Sequence, residues 1–303
     1  MATAALFVNG IGDAVFALPA IRRMSRFTPR LRVLHPDYGA YRALFAEFGD
    51  SAATIMARIV DGGWRLDDDQ VDALLEGWTT RALLTSFSSP QTRRLEQAAG
   101  ARTLALQGAR QGVHMFERYQ ELCDALHGGR GDRSDLDFRP LADCRSRTPA
   151  PDLPVLDAGT GALVIHPETA AAKTFAPGMW VEALRALLAD RPDLDIVVCG
   201  TQMVADLALA LQHPRCTWVV NRPFETTIAL VDAASAVIGV DSCVIHIADL
   251  QRRPTGAIFR TTEPDTWGLA LTPMGRTVVL PPGQDPALPE ALIALAASLT
   301  PRR

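Results

Sequence analysis

Lysine is almost missing from this chain. Among 303 residues Lys173 stands alone, and arginine supplies the other 29 of the 30 basic side chains. Charge of one sign is not concentrated anywhere: the formal net charge is −4, and no like-charged run is longer than Asp67, Asp68, Asp69. That excludes the basic footprint of a nucleic-acid binder. Cysteine is sparse and odd in number. Cys123, Cys144, Cys199, Cys216 and Cys243 are widely spaced with no C-x-x-C pair, which argues against a disulfide framework and a zinc site and fits a reducing cytoplasm. No window has the uninterrupted apolar length of a membrane span, so any membrane contact is expected to be peripheral. The first twenty residues are apolar, but they lack a positive n-region and are broken by Asn9, Gly10, Gly12 and Asp13. They read as strand, turn and helix rather than as a signal peptide.

The chain does have enough apolar material, at 48% hydrophobic residues, to fill two cores of a soluble globular protein. Short apolar runs alternate with amphipathic stretches throughout, the pattern of βα units building parallel sheets. The first series places strands near Ala4 to Val8, Leu31 to Leu34, Ala82 to Ser86 and Thr103 to Leu106. Its helices fall near Asp13 to Met24, Ala40 to Phe48, Pro90 to Ala99 and His114 to Leu126. Between Gly128 and Gly161 the sequence turns polar and rich in Asp, Arg, Pro and Gly, as an interdomain linker does. The second series has strands at Ala162 to Ile165, Leu194 to Cys199, Thr217 to Val220, Ala236 to Val240 and Thr255 to Phe259, with helices beginning near Gly178, Gln202, Glu225 and Ser242. The expectation is two Rossmann-like α/β domains, residues 1–155 and 156–303, facing a cleft, with a C-terminal helix that packs back on the first. In open parallel sheets ligands bind beyond the carboxyl ends of the strands, so the turns that follow strands are the places to look.

Three turns carry residues suited to chemistry. In the first, Asn9, Gly10, Ile11, Gly12 and Asp13, two glycines permit a sharp turn and a carboxylate begins a helix, whose dipole favours the ionised form. Asp13 fits an ordinary N-cap as well as a base. G-x-G-D lacks the third glycine of a dinucleotide fingerprint. The second turn runs from His166 to Lys173. Its small residues expose the backbone, Thr169 offers a hydroxyl and Lys173 a compact point charge, a set suited to a diphosphate though not a Walker A loop. His166 is read as bonding a neighbouring loop. The third turn is Val240, Asp241, Ser242, Cys243, Val244, Ile245, His246. A helix opening at Ser242 presents free N–H groups to an anion, while Asp241 and Ser242 equally fit ordinary caps and His246 a core histidine. Cys243 and His246, three apart, lack a third group to orient the histidine, which weakens a nucleophilic reading.

At these turns the sequence resembles glycosyltransferase family 9, the ADP-heptose heptosyltransferases of lipopolysaccharide assembly. The first motif is carried by Gly12, Asp13, Ala14, Val15, Phe16, Ala17, Leu18, Pro19, Ala20 and Ile21. The second is carried by His166, Pro167 and Lys173, with Phe175 where the family has tryptophan. The third runs from Gly239 to His246, with Cys243 in place of a glycine. Phe259 to Pro264 then stand loosely for a final element in which Arg260 replaces glycine. His114 to Gly128 also looks like the family's helix leaving the first domain.

The resemblance implies a GT-B fold and an inverting, metal-independent glycosyl transfer from an ADP-sugar with no cofactor. It makes Asp13 the general base, assisted at the acceptor side by Asn9, Gly10 and Gly12. It places Thr169, Lys173, Asp241, Ser242, Cys243 and His246 around the donor. Cys243 and Arg260 add bulk and charge, so the sugar could differ from heptose. Residues 1–155 hold 19 arginines and 19 acidic residues, a neutral balance that suits a small soluble acceptor better than a phosphorylated lipid-linked saccharide. Two alternatives stay open: a GT-B nucleotide-sugar epimerase or hydrolase, and a catalytically silent nucleotide-sugar-binding protein.

Overall fold

The computed structural model describes residues 2–6, 10–27, 30–55, 57–60, 63–66, 69, 80–85, 102–105, 112–127 and 162–300. It divides into two compact units, Met1–Asp137 and Phe138–Arg303. The polar stretch read as the linker, and the helix expected at Pro90 to Ala99, lie outside the described residues.

In chain order the first unit contains β1 (Ala2–Leu6), α1 (Ile11–Phe27), β2 (Arg30–Pro36), α2 (Gly39–Phe45), β3 (Ala52–Ile55), β4 (Ala57–Val60), β5 (Gly63–Leu66), β6 (Thr80–Thr85), β7 (Arg102–Ala105) and α3 (Met115–His127). Five of its strands form a parallel sheet in the order β3-β2-β1-β6-β7, and β4 with β5 make an antiparallel hairpin. The hairpin and β3 are absent from the sequence reading. The sequence does carry a hairpin signal there, the dipeptide Asp61-Gly62.

Helix α1 is buried continuously from Ala14 to Ile21 and again at Arg23 and Met24, so it is covered all round rather than along one stripe. Pro19 lies inside it, where it removes one backbone donor. Two contacts fix its orientation against α3. The buried Arg23 guanidinium meets Asp124 at 2.5 Å and Gln120 at 3.0 Å, and the Phe16 ring sits edge-on to Phe116 with centroids 4.9 Å apart.

The second unit continues with β8 (Leu163–His166), α4 (Pro177–Asp190), β9 (Ile196–Gly200), α5 (Gln202–Ala210), β10 (Cys216–Val220), α6 (Phe224–Ala233), β11 (Ala236–Val240), α7 (Cys243–Leu250), β12 (Thr255–Phe259), α8 (Pro264–Trp267), β13 (Gly275–Val279) and α9 (Leu288–Leu299). All six strands are parallel, in the order β10-β9-β8-β11-β12-β13. Central strands covered on both faces need apolar residues at every position, and β11, AVIGV, and β12, TGAIF, are buried throughout. The edge strand β13 is largely exposed, so its weaker apolar signal did not identify it. In α9 the apolar residues recur at 288, 291, 292, 295, 296 and 299, one face of a helix. That face joins Trp180, Leu184 and Leu187 of α4 in the core of its own unit. No helix among the described residues is long and apolar enough to cross a membrane.

Both sheets reverse direction once. In the second unit the chain runs from β8 outward to β10, then returns to lay β11 on the other side of β8. Two strand ends therefore part at β8 and β11, and a crevice opens there in doubly wound sheets. In the first unit the same position falls between β1 and β6, and α1 follows β1.

Candidate active site

The loops leaving β8 and β11 meet at Asp241. Its side chain is 3% exposed, and its oxygens are surrounded by donors. Lys173 Nζ lies 2.7 Å from Oδ2, Thr262 Oγ1 donates to the same oxygen, and His246 Nε2 is 3.3 Å from Oδ1. The Asp241 carbonyl accepts a bond from Thr169 Oγ1 at 2.7 Å. Burial alone would raise the Asp241 carboxyl, but the bonds from His246, Lys173 and Thr262 outweigh it and hold it well below the usual carboxylate range. Asp241 therefore stays ionised and acts as the hub of the cluster.

Lys173 keeps 30% of its side chain exposed. An ammonium has three N–H donors, and the bond to Asp241 uses one of them. The lone lysine is thus held by one N–H with others available to a ligand. A guanidinium at this position would tend to form a planar, two-point fork with the carboxylate.

Ser242 stands at the N-cap of α7, yet it makes no side-chain cap bond. Its hydroxyl lies 3.1 Å from His166 Nδ1 instead, so the Ser242 hydroxyl does not cap the backbone donors of the first turn of α7. His166 does bond a neighbouring loop, as its position after a strand suggests. Burial presses its pKa down to about 4 from the ordinary 6.5, with Glu168 opposing, so the ring is neutral at pH 7.

This has a consequence for acid stability. As pH falls from 6.5 toward 4 the unfolded chain takes up a proton that the folded chain refuses, so folding weakens through that window. Between pH 7 and 5 the loss due to His166 is about 2 kcal/mol. Urea unfolding of His166→Gln at both pH values is expected to show a pH dependence smaller by about that amount, and an unchanged difference would contradict the burial of a neutral ring.

Strand packing enforces the closeness of these loops. Gly239 pairs with His166 across β11 and β8, and a Cβ on it would stand 2.9 Å from the His166 carbonyl oxygen. Only glycine fits there. Glu168 points away from the hub and accepts bonds from Thr201 N at 2.6 Å, Thr201 Oγ1 at 2.8 Å and Val204 N at 3.0 Å, closing the start of α5. This use of Glu168, and that of Thr262, escaped the sequence reading because their partners are 33 and 21 residues away and no spacing rule links them.

Cys243 is the first residue of α7 and half-buried, and burial pushes its thiol up to about 12. It is protonated at neutral pH and unsuited to nucleophilic attack. Arg260 carries its charge to Asp285 and lays its guanidinium on Phe175.

In the first unit Gly10 precedes α1, and its carbonyl accepts from Asp13 N at 3.1 Å. Asp13 is therefore the third helical residue rather than the cap, still within the turn where the dipole acts. Gly12 lies inside the same turn, and Asn9 lies outside the described residues. The structure thus gathers Thr169, Lys173, Asp241, Ser242 and His246, with Cys243 alongside, and adds Thr262. Among the described residues no three His, Cys, Asp or Glu side chains group as a metal-ligand set.

The family model for glycosyltransferase family 9 (heptosyltransferase) matches residues 91–289. Among solved structures, the E. coli ADP-heptose lps heptosyltransferase II is 16% identical with a TM-score of 0.66, over 97% of this chain and 98% of that one. The E. coli heptosyltransferase WaaC with ADP-2-deoxy-2-fluoro heptose is 16% identical with a TM-score of 0.68, over 97% and 98% of the two chains. The glycosyl transferase family 9 protein from Veillonella parvula DSM 2008 is 14% identical with a TM-score of 0.68, over 98% and 96%. No curated protein matches this sequence.

Proposed function

The chain belongs to glycosyltransferase family 9, and from that premise we propose that it transfers a sugar, heptose from ADP-heptose, to an acceptor hydroxyl with inversion and without a metal ion. That it is a glycosyltransferase of the GT-B fold follows from the family and the solved relatives. The donor, acceptor and stereochemistry are our reading. The observation that supports it best is the meeting of Lys173, Asp241 and the uncapped start of α7 where β8 and β11 part.

In this reading the donor diphosphate lies against the Lys173 ammonium and the backbone donors of Cys243 and Val244. Thr169 and His246 brace the loops around it. Asp13 removes the proton from the acceptor hydroxyl, whose oxygen forms a bond to the anomeric carbon. The bond from that carbon to the diphosphate breaks, and ADP leaves with the electron pair. A single displacement of this kind inverts the centre. Charge growing on the departing diphosphate is met by Lys173 and the α7 dipole, groups fixed before the reaction begins.

The acceptor we favour is a small soluble molecule over the lipid-linked saccharide core. Arg22, Arg23 and Arg42 in the first unit are each engaged by a carboxylate, Glu47, Asp124 and Asp37, which fits the neutral balance of that region. Free thiols at Cys123, Cys199, Cys216 and Cys243 fit a reducing compartment, and we place the enzyme in the cytoplasm. The family match disfavours the epimerase, hydrolase and silent-binding readings.

Loss of one charge-assisted contact is worth about 1.5–3 kcal/mol. Lys173→Ala is accordingly expected to weaken ADP binding by about 10- to 100-fold, measured by titration calorimetry, and undiminished affinity would remove the diphosphate from this site. Incubation with ADP-heptose and an acceptor panel tests the reaction itself. Sugar release from donor alone at the rate of turnover would replace transfer with hydrolysis.

A further inference from the structure

The turn that carries Lys173 has little of its own to hold it. Ala171–Lys173 form one 3-10 turn without a buried side chain, and Ala170, Ala171 and Ala172 are exposed. Its fixings lie at the two ends. Ahead of it, Thr169 bonds the Asp241 carbonyl. Behind it, Thr174 Oγ1 donates to the Pro167 carbonyl at 3.1 Å and Phe175 sinks to 1% exposure, edge-on to Trp180 with centroids 6.1 Å apart. One face of the Phe175 ring is covered by Arg260, whose guanidinium carbon stands 4.2 Å from the ring centroid.

Arg260 follows β12 directly, and its side chain is 9% exposed. Its guanidinium is paired with Asp285, in the short turn that leads into α9. Two residues further on, Thr262 bonds the Asp241 carboxylate. One side chain therefore links the loop after β8, the loop after β12 and the head of α9, and two of these loops end on Asp241. A flat guanidinium can stack on a ring and pair with a carboxylate at once, which an ammonium does poorly, and such stacking strengthens as water is removed. Phe175 and Arg260 are also two positions at which the sequence departs from the family pattern, and their contact makes the two departures one device.

We propose that Arg260 is a positioning residue for donor binding: by clamping Phe175 and anchoring to Asp285, it fixes the alanine-rich turn that presents Lys173. The proposal rests on the reading of Lys173 as a diphosphate ligand, so its test has one arm that needs no ligand. The Lys173 amide donates to the Ala170 carbonyl at 2.8 Å. Hydrogen exchange over residues 170–175 in Arg260→Ala is expected to quicken about tenfold, with the β11 amides unchanged. At a temperature where the variant is fully folded, its ADP dissociation constant and donor KM rise about tenfold, while kcat at saturating donor stays within about twofold.

Arg260→Lys keeps the charge opposite Asp285 without the flat stack, and is expected to fall between the two proteins in both arms. Phe175→Leu is expected to reproduce the effect of Arg260→Ala, and the double variant to be no worse than either. Unchanged exchange over 170–175 overturns the proposal. So does faster exchange with unaltered ADP affinity, the result of a purely structural contact. Failure of the unmodified enzyme to bind ADP strikes at the donor-site reading, and the exchange arm still decides whether Arg260 holds the turn.

Discussion

Asp13→Ala is expected to lower kcat by about a thousandfold while leaving ADP affinity within about twofold. The reason lies in the division of labour between the units. Asp13 belongs to the first turn of α1, and every contact that forms the Asp241 cluster belongs to the second unit. Removing the carboxylate takes away the proposed proton acceptor and deletes none of the groups proposed to hold ADP. The helix itself should survive, because α1 is fastened further along by Arg23 to Asp124 and by Phe16 to Phe116. Asp13→Asn, which keeps the shape and cannot accept the proton as a carboxylate does, is expected to be as slow as Asp13→Ala. Steady-state kinetics beside calorimetry with ADP would check both. Near-normal turnover in either variant would remove Asp13 from the mechanism.

Asp241→Ala should damage stability and binding together. Breaking a buried pair by deleting one partner leaves the other uncompensated, at about 3–5 kcal/mol. Lys173 is still 30% exposed, so water restores part of that and about 2–3 kcal/mol is the expected loss. For a unit of this size that lowers Tm by roughly 5–10 °C, readable by calorimetry. ADP binding should disappear, because Lys173, Thr262 and His246 lose the atom that collects them. The pH dependence has a definite sign. A carboxylate with a depressed pKa contributes stability at all pH values above its ordinary range and gives it up only as pH falls below that range. Asp241 should therefore produce no break in activity or stability at mildly acid pH, in contrast to His166. A Tm within about 1 °C of the unmodified enzyme would show that the cluster does not carry the stability assigned to it.

Much of the second unit was legible because its strands are buried on both faces. Ala236 to Val240 and Thr255 to Phe259 were recognisable as continuous apolar runs, and they form β11 and β12 at those limits. Where burial falls off, the signal goes with it. β13, GRTVV, lies at an exposed edge with no fully buried residue, and the first unit's β3 and the β4–β5 hairpin are too short for a clear period. The clustering of the second-unit candidates was legible where they follow strands, since the topology makes such turns converge. What a linear reading misses is who bonds whom. It can set Asp241 beside Ser242 and Lys173 beside Phe175, but the partnership of Lys173 with Asp241 spans 68 residues, and that of Arg260 with Phe175 depends on two loops meeting after the six-stranded sheet has formed. The same limit explains Ser242, a plausible cap by sequence whose hydroxyl turns to His166 in the fold.

Lys173 and Thr262 reach Asp241 from the loops after β8 and β12, and His246 from α7, so no shorter portion of the second unit can assemble the cluster. A chain still emerging during synthesis has Lys173 long before it has Thr262, and until the later strand docks the proposed nucleotide site is incomplete. If ADP binds there as proposed, its capture is a readout of finished folding, and by mass action it protects the whole six-stranded layer instead of a single loop. In a protease-resistance assay, ADP should shield segments around residues 170 and 260 in step with each other.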